Sequence, residues 1–382
     1  MFSLHVDTAR TWRGGQSQVR LTVHGLHAIG QRVALVAHPS GELRHRVDAA
    51  IEFVPLAPRS ELDLLAAWRF SRVIERLAPD VIHAHDPHAV AMAALALRLG
   101  SSRNNRRRTG ANVPVLVASR RVDFHLKRNP LSRWKYRQVD CFIAASEAIR
   151  QMLVADGVPA ERTVTVHEGT DVERILAEPA VNLHEAFGLP PLAPVVGNVA
   201  ALVPHKGQRH LIDAAQLVVR EIPDVRFVIL GEGELRTQLE SQVRERNLER
   251  HVLLPGFRTD VLDCLKGFDL FVMSSVTEGL GTSLLDAMAC SRAIVATRAG
   301  GIPEVVEDEV SGLLVPPQDH AALAHAIVRV LKDAGLRRRM GEAGFARVRE
   351  RFSVERMVAE TAAVYARVAG RARAGNPGRP PV

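Results

Sequence analysis

The run Phe271-Val-Met-Ser-Ser-Val-Thr-Glu-Gly-Leu-Gly-Thr-Ser-Leu-Leu-Asp286 holds the residues best placed to do chemistry. It reads as a buried strand ending at Ser274 and Ser275, then a loop with Glu278, Gly279, Leu280 and Gly281. A helix starts near Thr282 and Ser283. Glycines let a backbone come close to a ligand, and the unpaired amides of a helix start favour an anion such as a diphosphate. Glu278 stands where a carboxylate could accept hydrogen bonds from sugar hydroxyls. Asp286 has two readings: Ser283-x-x-Asp286 is a capping box at the positive end of a helix dipole, or the acid meets a ligand.

Other clusters carry weaker signals. Val195-Val-Gly-Asn-Val-Ala-Ala-Leu-Val-Pro-His-Lys-Gly-Gln208 is a strand followed by a loop that presents Lys206 and Gly207. A lysine beside glycine after a strand can grip a phosphate, or be an ordinary exposed lysine. Gly14 and Gly15, between the first strand and the first helix, let the chain pass close to a ligand or make a tight turn. Pro79-Asp-Val-Ile-His-Ala-His-Asp-Pro-His88 puts His83 and His85 on one side of a strand. A metal would need Asp86 or His88 as further ligands, and Pro87 with the strand end gives no dedicated ligand spacing, so no metal is expected. His85 reads as a hydrogen-bonding or catalytic histidine and His83 as a satisfied core histidine. Leu230-Gly-Glu-Gly-Glu-Leu-Arg236 half imitates a dinucleotide fingerprint, with Arg236 where the third glycine belongs.

Positioning these loops takes alternating strands and helices. Strands are expected at 2–6, 33–37, 81–83, 115–118, 141–144 and 163–167. A second series falls at 195–199, 226–230, 252–254, 270–273 and 293–296. Amphipathic stretches such as 211–220, 234–246 and 321–332 lie between them. That alternation implies α/β architecture with parallel sheets covered on both faces. The pattern runs twice, so two Rossmann-like doubly wound domains are expected to face across a cleft at the carboxyl ends of their strands. The first spans 1–176, a proline-rich linker spans 177–194, and the second spans 195–369, with its last helix able to pack on the first domain. The Gly- and Pro-rich tail 370–382 reads as disordered.

Composition narrows the classes. At 382 residues, 47% hydrophobic and 24% charged, the chain suits two globular domains and excludes disorder. Three separated cysteines (Cys141, Cys264, Cys290) exclude a disulfide scaffold and a thiolate zinc site. No signal peptide is legible in 1–7, and the apolar stretch 89–97 falls short of the ~20 residues a span needs. A cytoplasmic protein is expected. The net charge of +8 is uneven: Ser101–Arg137 holds eleven basic residues against one acid, Asp123. Such a field attracts an anionic lipid surface, a phosphorylated acceptor or nucleic acid, or is a solvated Arg-rich loop. Arg120, Arg121, Lys127 and Arg128 are its candidates for an acceptor or membrane contact.

Together these pieces resemble family 4 of the glycosyltransferases, enzymes of the GT-B fold. The resemblance covers about 365 residues. It runs from Gly14-Gly15 and the His-x-His strand end through Val166-His-Glu-Gly-Thr-Asp171, Leu202-Val-Pro-His-Lys-Gly207 and Leu254-Pro-Gly-Phe257. It continues through Glu278 to Asp286, Gly300-Gly-Ile-Pro-Glu304 and Gly312-Leu-Leu-Val-Pro-Pro-x-Asp319. It implies a retaining, metal-independent hexosyl transfer from a nucleotide-diphospho-sugar, which is a substrate and no cofactor, to a glycan or lipid-linked acceptor. It implies that Lys206, with amides at Gly15 and at Gly281, Thr282 and Ser283, neutralises the leaving diphosphate. Glu278 then faces the donor sugar, Asp286 the ribose, Phe257 and Arg258 the nucleobase, and His85 the reacting sugar or acceptor. Two positions depart from the family pattern. Ala201 stands where the family has arginine, leaving Arg13 or an arginine of the basic segment to substitute, and Asp286 replaces a glutamate.

The basic segment makes a cell-envelope glycan, such as a lipopolysaccharide core or a lipid-linked saccharide, the expected product class. The enzyme would then be peripheral at the inner face of the plasma membrane. The alternatives are a GT-B nucleotide-sugar 2-epimerase, a nucleic-acid or anionic-surface binder using 101–137, and a dehydrogenase. The segment's few aromatics (Phe124, Trp134, Tyr136) and lack of a binding module speak against nucleic acid. The missing glycine fingerprint speaks against a dehydrogenase.

Overall fold

Strands apolar on both faces are stable only between two helical layers, and both halves of the chain take that arrangement. The computed structural model describes residues 1–99 and 113–373. They form two units: Met1–Gly169 with the segment from Val354 onward (unit 1), and Thr170–Ser353 (unit 2).

Unit 1 holds a seven-stranded parallel sheet ordered β3-β2-β1-β4-β5-β6-β7. The strands are β1 (Phe2–Asp7), β2 (Arg32–Ala37), β3 (Glu52–Pro55), β4 (Val81–Ala84), β5 (Val115–Arg120), β6 (Cys141–Ala144) and β7 (Thr163–Thr165). The order reverses between β1 and β4, whose carboxyl ends open the crevice such sheets use for ligands. In that pair His5 lies opposite His83. Alternation sends Leu4, Val6, Ile82, Ala84, Leu116 and Ala118 into the core shared with helices Leu64–Leu77 and Pro87–Leu99. The opposite face carries Ser3, His5 and His83, beside the core that joins helix Gly14–Ala28 to the last helix, Val354–Arg373. Those two helices pack closely: a Cβ on Gly25 would stand 2.3 Å from Val358 Cγ2.

Unit 2 holds six parallel strands ordered β10-β9-β8-β11-β12-β13. They are β8 (Val195–Val199), β9 (Arg226–Leu230), β10 (Val252–Gly256), β11 (Leu270–Met273), β12 (Ala293–Thr297) and β13 (Gly312–Val315). Its order reverses between β8 and β11, the strands that carry the Lys206 loop and the Glu278 loop. The expected α/β class and doubly wound parallel sheets are thus observed.

The boundaries differ from expectation. Residues 177–194 are not a tether. Leu183 and Leu189 are buried in the unit 2 core, and Asn182 caps the short helix Leu183–Ala186 between the prolines. The prolines break regular structure, but the leucines between them anchor the stretch. Unit 2 accordingly begins at Thr170, while the last helix groups with unit 1, as the sequence reading allowed. Residues 370–373 extend that helix and are not a disordered tail; the rest of the tail lies outside the described residues. Strands β3 and β13 were not foreseen. No helix among the described residues is long and apolar enough to cross a membrane.

Candidate functional site

In unit 2 the loops after β8 and β11 are locked together by backbone. Val276 N–H donates to His205 O at 2.8 Å. Gly207 has φ +65°, and a Cβ there would stand 2.1 Å from Ser274 O. Only glycine fits both the conformation and the space. Across this seam Lys206 Nζ meets Glu278 Oε2 at 2.5 Å, and Ser275 Oγ donates to the same oxygen at 3.0 Å. The Glu278 carbonyl accepts from Gly301 N–H at 3.1 Å, and a Cβ on Gly300 would come within 1.8 Å of it. Glu278 is therefore held at side chain and main chain. The lysine side chain is 20% exposed and the glutamate 9%, so the pair sits at the edge of solvent. Beside it, Thr277 Oγ1 is buried with no hydrogen-bond partner among the described residues.

Gly281, at φ +92°, is the N-cap of helix Thr282–Ala289, and no side chain caps it. The capping-box reading is thereby corrected: Ser283 lies inside the helix and donates to Val199 O at 3.0 Å. Asp286 accepts from Thr170 Oγ1 at 2.6 Å. Burial raises the Asp286 carboxyl to a pKa of about 6, against the pull of the Thr170 bond and the Arg174 charge. Gly279 is buried, and the Leu280 side chain is in the core, so that residue can offer a ligand only its backbone. Phe257 is exposed after β10. Arg258 next to it is paired with Asp260 through Nε at 2.7 Å and through Nη2, and lies over the Phe187 ring. The glycines of Leu230-Gly-Glu-Gly233 have a packing reason. A Cβ on Gly231 or Gly233 would strike Ala200 O or Leu202 O at 2.0 or 2.3 Å.

In unit 1 the polar face of the sheet is a connected set. His83 Nδ1 pairs with Tyr365 OH at 2.6 Å and its Nε2 with Ser119 Oγ at 2.8 Å. His5 Nδ1 pairs with His85 Nε2 at 2.9 Å, and His5 Nε2 with Ser3 Oγ at 3.1 Å. Arg121 Nη1 lies 3.1 Å from His85 Nδ1, while its Nε forms an ion pair with Glu168 at 2.9 Å. Burial, then the Arg121 charge, pushes the His5 pKa down to about 3. His83 and His85 are also held well below the usual histidine range, chiefly by burial. The three rings bring ligand atoms within 4.8 Å of one another, a spacing a metal could use. Every ring nitrogen already has a hydrogen-bond partner, however, and a guanidinium abuts the group, so the donors do not suit a cation.

Both ring nitrogens of His85 are thus engaged within the protein in this arrangement. Next to it, Asp7 at the end of β1 accepts from Ala9 N–H and Gln16 Nε2. Burial and the neighbouring Asp86 raise its pKa to about 6. Gly14 and Gly15 open helix Gly14–Ala28, which no side chain caps, and a Cβ on Gly15 would meet nothing within 4 Å.

The basic segment divides. Arg120 is half-buried against Phe124 O, Arg121 belongs to the histidine set, and Lys135 is buried on Glu61 at 2.7 Å. Lys127 and Arg128 are exposed. With Arg133 and Arg137 they rim a cavity of about 420 Å³ over Tyr136. Arg103, Arg106, Arg107 and Arg108 lie outside the described residues. Sequence reasoning missed His5, Asp7 and Tyr365, and gave Glu168 and Thr170 no role within the quoted motif. Its available signal was the polar alternation of Ser3-Leu-His5-Val-Asp7 in an otherwise apolar strand.

Residues 12–174 match Glycosyltransferase Family 4, and residues 182–347 match Glycosyl transferases group 1. The N-acetyl-alpha-D-glucosaminyl L-malate synthase of Bacillus anthracis is 27% identical over 79% of this chain and 78% of its own length. The UDP-Gal:alpha-D-GlcNAc-diphosphoundecaprenol alpha-1,3-galactosyltransferase of Escherichia coli is 26% identical over 79% and 80%. Among solved structures, Anabaena HepE in complex with UDP-glucose superposes with a TM-score of 0.79 at 22% identity, covering 95% of this chain and all of that one.

Proposed function

Because the chain belongs to the family 4, group 1 glycosyltransferases and has their GT-B fold, we propose that it moves a hexosyl group from a nucleotide-diphospho-sugar to a glycan or lipid-linked acceptor. In this reading transfer retains the anomeric configuration and needs no metal. The observation that carries it is the Lys206–Glu278 pair at the strand reversal of unit 2, framed by glycines that let the surrounding loops close on one another.

Breaking the glycosidic bond leaves negative charge on the diphosphate. Lys206 and the uncapped amides at Gly281, Thr282 and Ser283 stabilise that charge where it develops. Binding frees Lys206 from Glu278, whose carboxylate, with Thr277 Oγ1 nearby, turns to the sugar hydroxyls. Asp286, one methylene shorter than the family's glutamate, reaches toward the ribose, and Phe257 with Arg258 frames the base.

A cell-envelope product and contact with the inner face of the plasma membrane are supported by two observations. One is the lipid-diphosphate acceptor in the name of the E. coli relative. The other is the basic cavity rimmed by Lys127, Arg128, Arg133 and Arg137. Neither the 2-epimerase nor the nucleic-acid reading gains an observation in its favour. A thermal-shift panel of nucleotide-diphospho-sugars tests the reading, since a ligand of the native state raises the melting temperature. One or more members should do so, and the anomeric configuration of the product, assayed in chelator, then decides retention and metal independence. A panel with no stabilising member overturns the proposal.

A further inference from the structure

Inside unit 1, Glu168, Arg121, His85, His5 and Ser3 form one unbranched chain of polar contacts. Arg121 Nη1 points at His85 Nδ1 across 3.1 Å. A guanidinium only donates and stays protonated at any pH a protein tolerates. His85 Nδ1 must then be bare, and the ring proton sits on Nε2. That N–H faces His5 Nδ1 at 2.9 Å, so His5 Nδ1 is bare in turn. The His5 proton sits on Nε2, which donates to Ser3 Oγ at 3.1 Å. One obligate donor at one end decides two tautomers.

We propose that Arg121, braced by Glu168, is a positioning residue that locks His85 and His5 as neutral Nε2–H tautomers, leaving His85 no free lone pair with which to take a proton at the end of β4. The brace is itself fixed. The Gln18 side chain donates to Gly169 O at 2.8 Å and accepts from Gly169 N–H at 3.2 Å, which holds the loop that carries Glu168. His83 stands outside the chain: both its partners are hydroxyls, which donate or accept equally well, so nothing selects its tautomer. Burial of all three rings keeps them neutral, in agreement with a lock built from tautomers and not from charge. For the transfer proposed above, His85 therefore orients neighbours and is not a general base. Only that consequence rests on the transferase reading.

The test is long-range proton–nitrogen NMR of the full chain with nitrogen-labelled histidine, assigned by the spectra of His85→Gln and His5→Gln. Near neutral pH both residues should show a bare Nδ1 and a protonated Nε2. Arg121→Lys, which also only donates, should preserve this pattern. Arg121→Met should shift both residues toward a tautomer mixture. A protonated His85 Nδ1 in the unaltered chain overturns the proposal, whether or not the methionine variant folds. So do unchanged tautomers in a folded Arg121→Met. The transferase reading fails on a different readout, nucleotide-sugar binding by the unaltered chain.

Discussion

Both units place their polar chemistry where strand order reverses, but they build it from different material. Unit 2 uses backbone: glycines at 207 and 300 let the loops after β8 and β12 close on the Glu278 loop, around one ion pair that still meets solvent. Unit 1 uses side chains: three buried histidines whose ring nitrogens all have partners, with a half-buried arginine and a tyrosine of the last helix packed against them. The contrast suggests a division of labour. A loop with unpaired amides and a partly wet ion pair can exchange its partners for a ligand, whereas buried rings with every nitrogen already partnered keep their geometry.

The sharpest way to break this comparison is to remove the exchangeable pair. Lys206→Ala and Glu278→Ala should each lower transfer by about 10²–10³-fold with the fold retained, as loss of a transition-state charge partner does elsewhere. Steady-state rates beside circular dichroism check this. Glycine substitutions come next. Gly300→Ala puts a Cβ against Glu278 O at a φ of +50° and should cost about 3 kcal/mol in denaturant unfolding. Gly15→Ala, with open space around it, should stay within about 1 kcal/mol of the parent.

The surfaces should also differ. Arg133→Gln with Arg137→Gln in unit 1 should weaken binding to anionic vesicles by roughly thirtyfold, at about 1 kcal/mol per basic group. Arg338→Gln with Arg339→Gln, exposed on unit 2, should leave it unchanged. Equal losses in cosedimentation would make the attraction a property of net charge alone.

The smallest effect is set by protonation. His5, with a folded pKa of about 3 against an ordinary 6.5, binds fewer protons folded than unfolded between those values. Its contribution therefore fades as pH falls through that window. Asp286, raised from 3.8 to about 6, binds more protons folded than unfolded, so it favours folding at low pH and loses that effect as pH rises through 6. Asp286→Asn keeps an acceptor for Thr170 and should raise stability by about 1 kcal/mol near neutral pH, with the gain vanishing in mild acid. Hydrogen exchange should show unit 1 opening first as the pH is lowered.

The same contrast explains what the sequence made legible. Strands β6, β8, β9 and β11 stand where their β-branched runs predict, and the Lys206 and Glu278 loops were readable because each is a contiguous run with its own glycines. Strand β3 is a half-buried edge ending in Pro55, too short and mixed for a periodic signal. The His5–His85 contact depends on β1 lying beside β4, a non-local pairing that no local pattern encodes. The stretch 177–194 misled because prolines mark breaks in regular structure without saying whether the leucines between them are buried. The capping alternative for Ser283 and Asp286 failed because Gly281 begins the helix two residues before Ser283.

Calorimetric titration of the stabilising nucleotide-diphospho-sugar onto the full chain and onto Lys206→Ala measures what the lysine contributes to holding the donor. Saturable binding to the first is expected, with at least a roughly hundredfold weaker affinity for the second, equivalent to about 2.7 kcal/mol. Equal affinity for a folded Lys206→Ala would contradict this expectation.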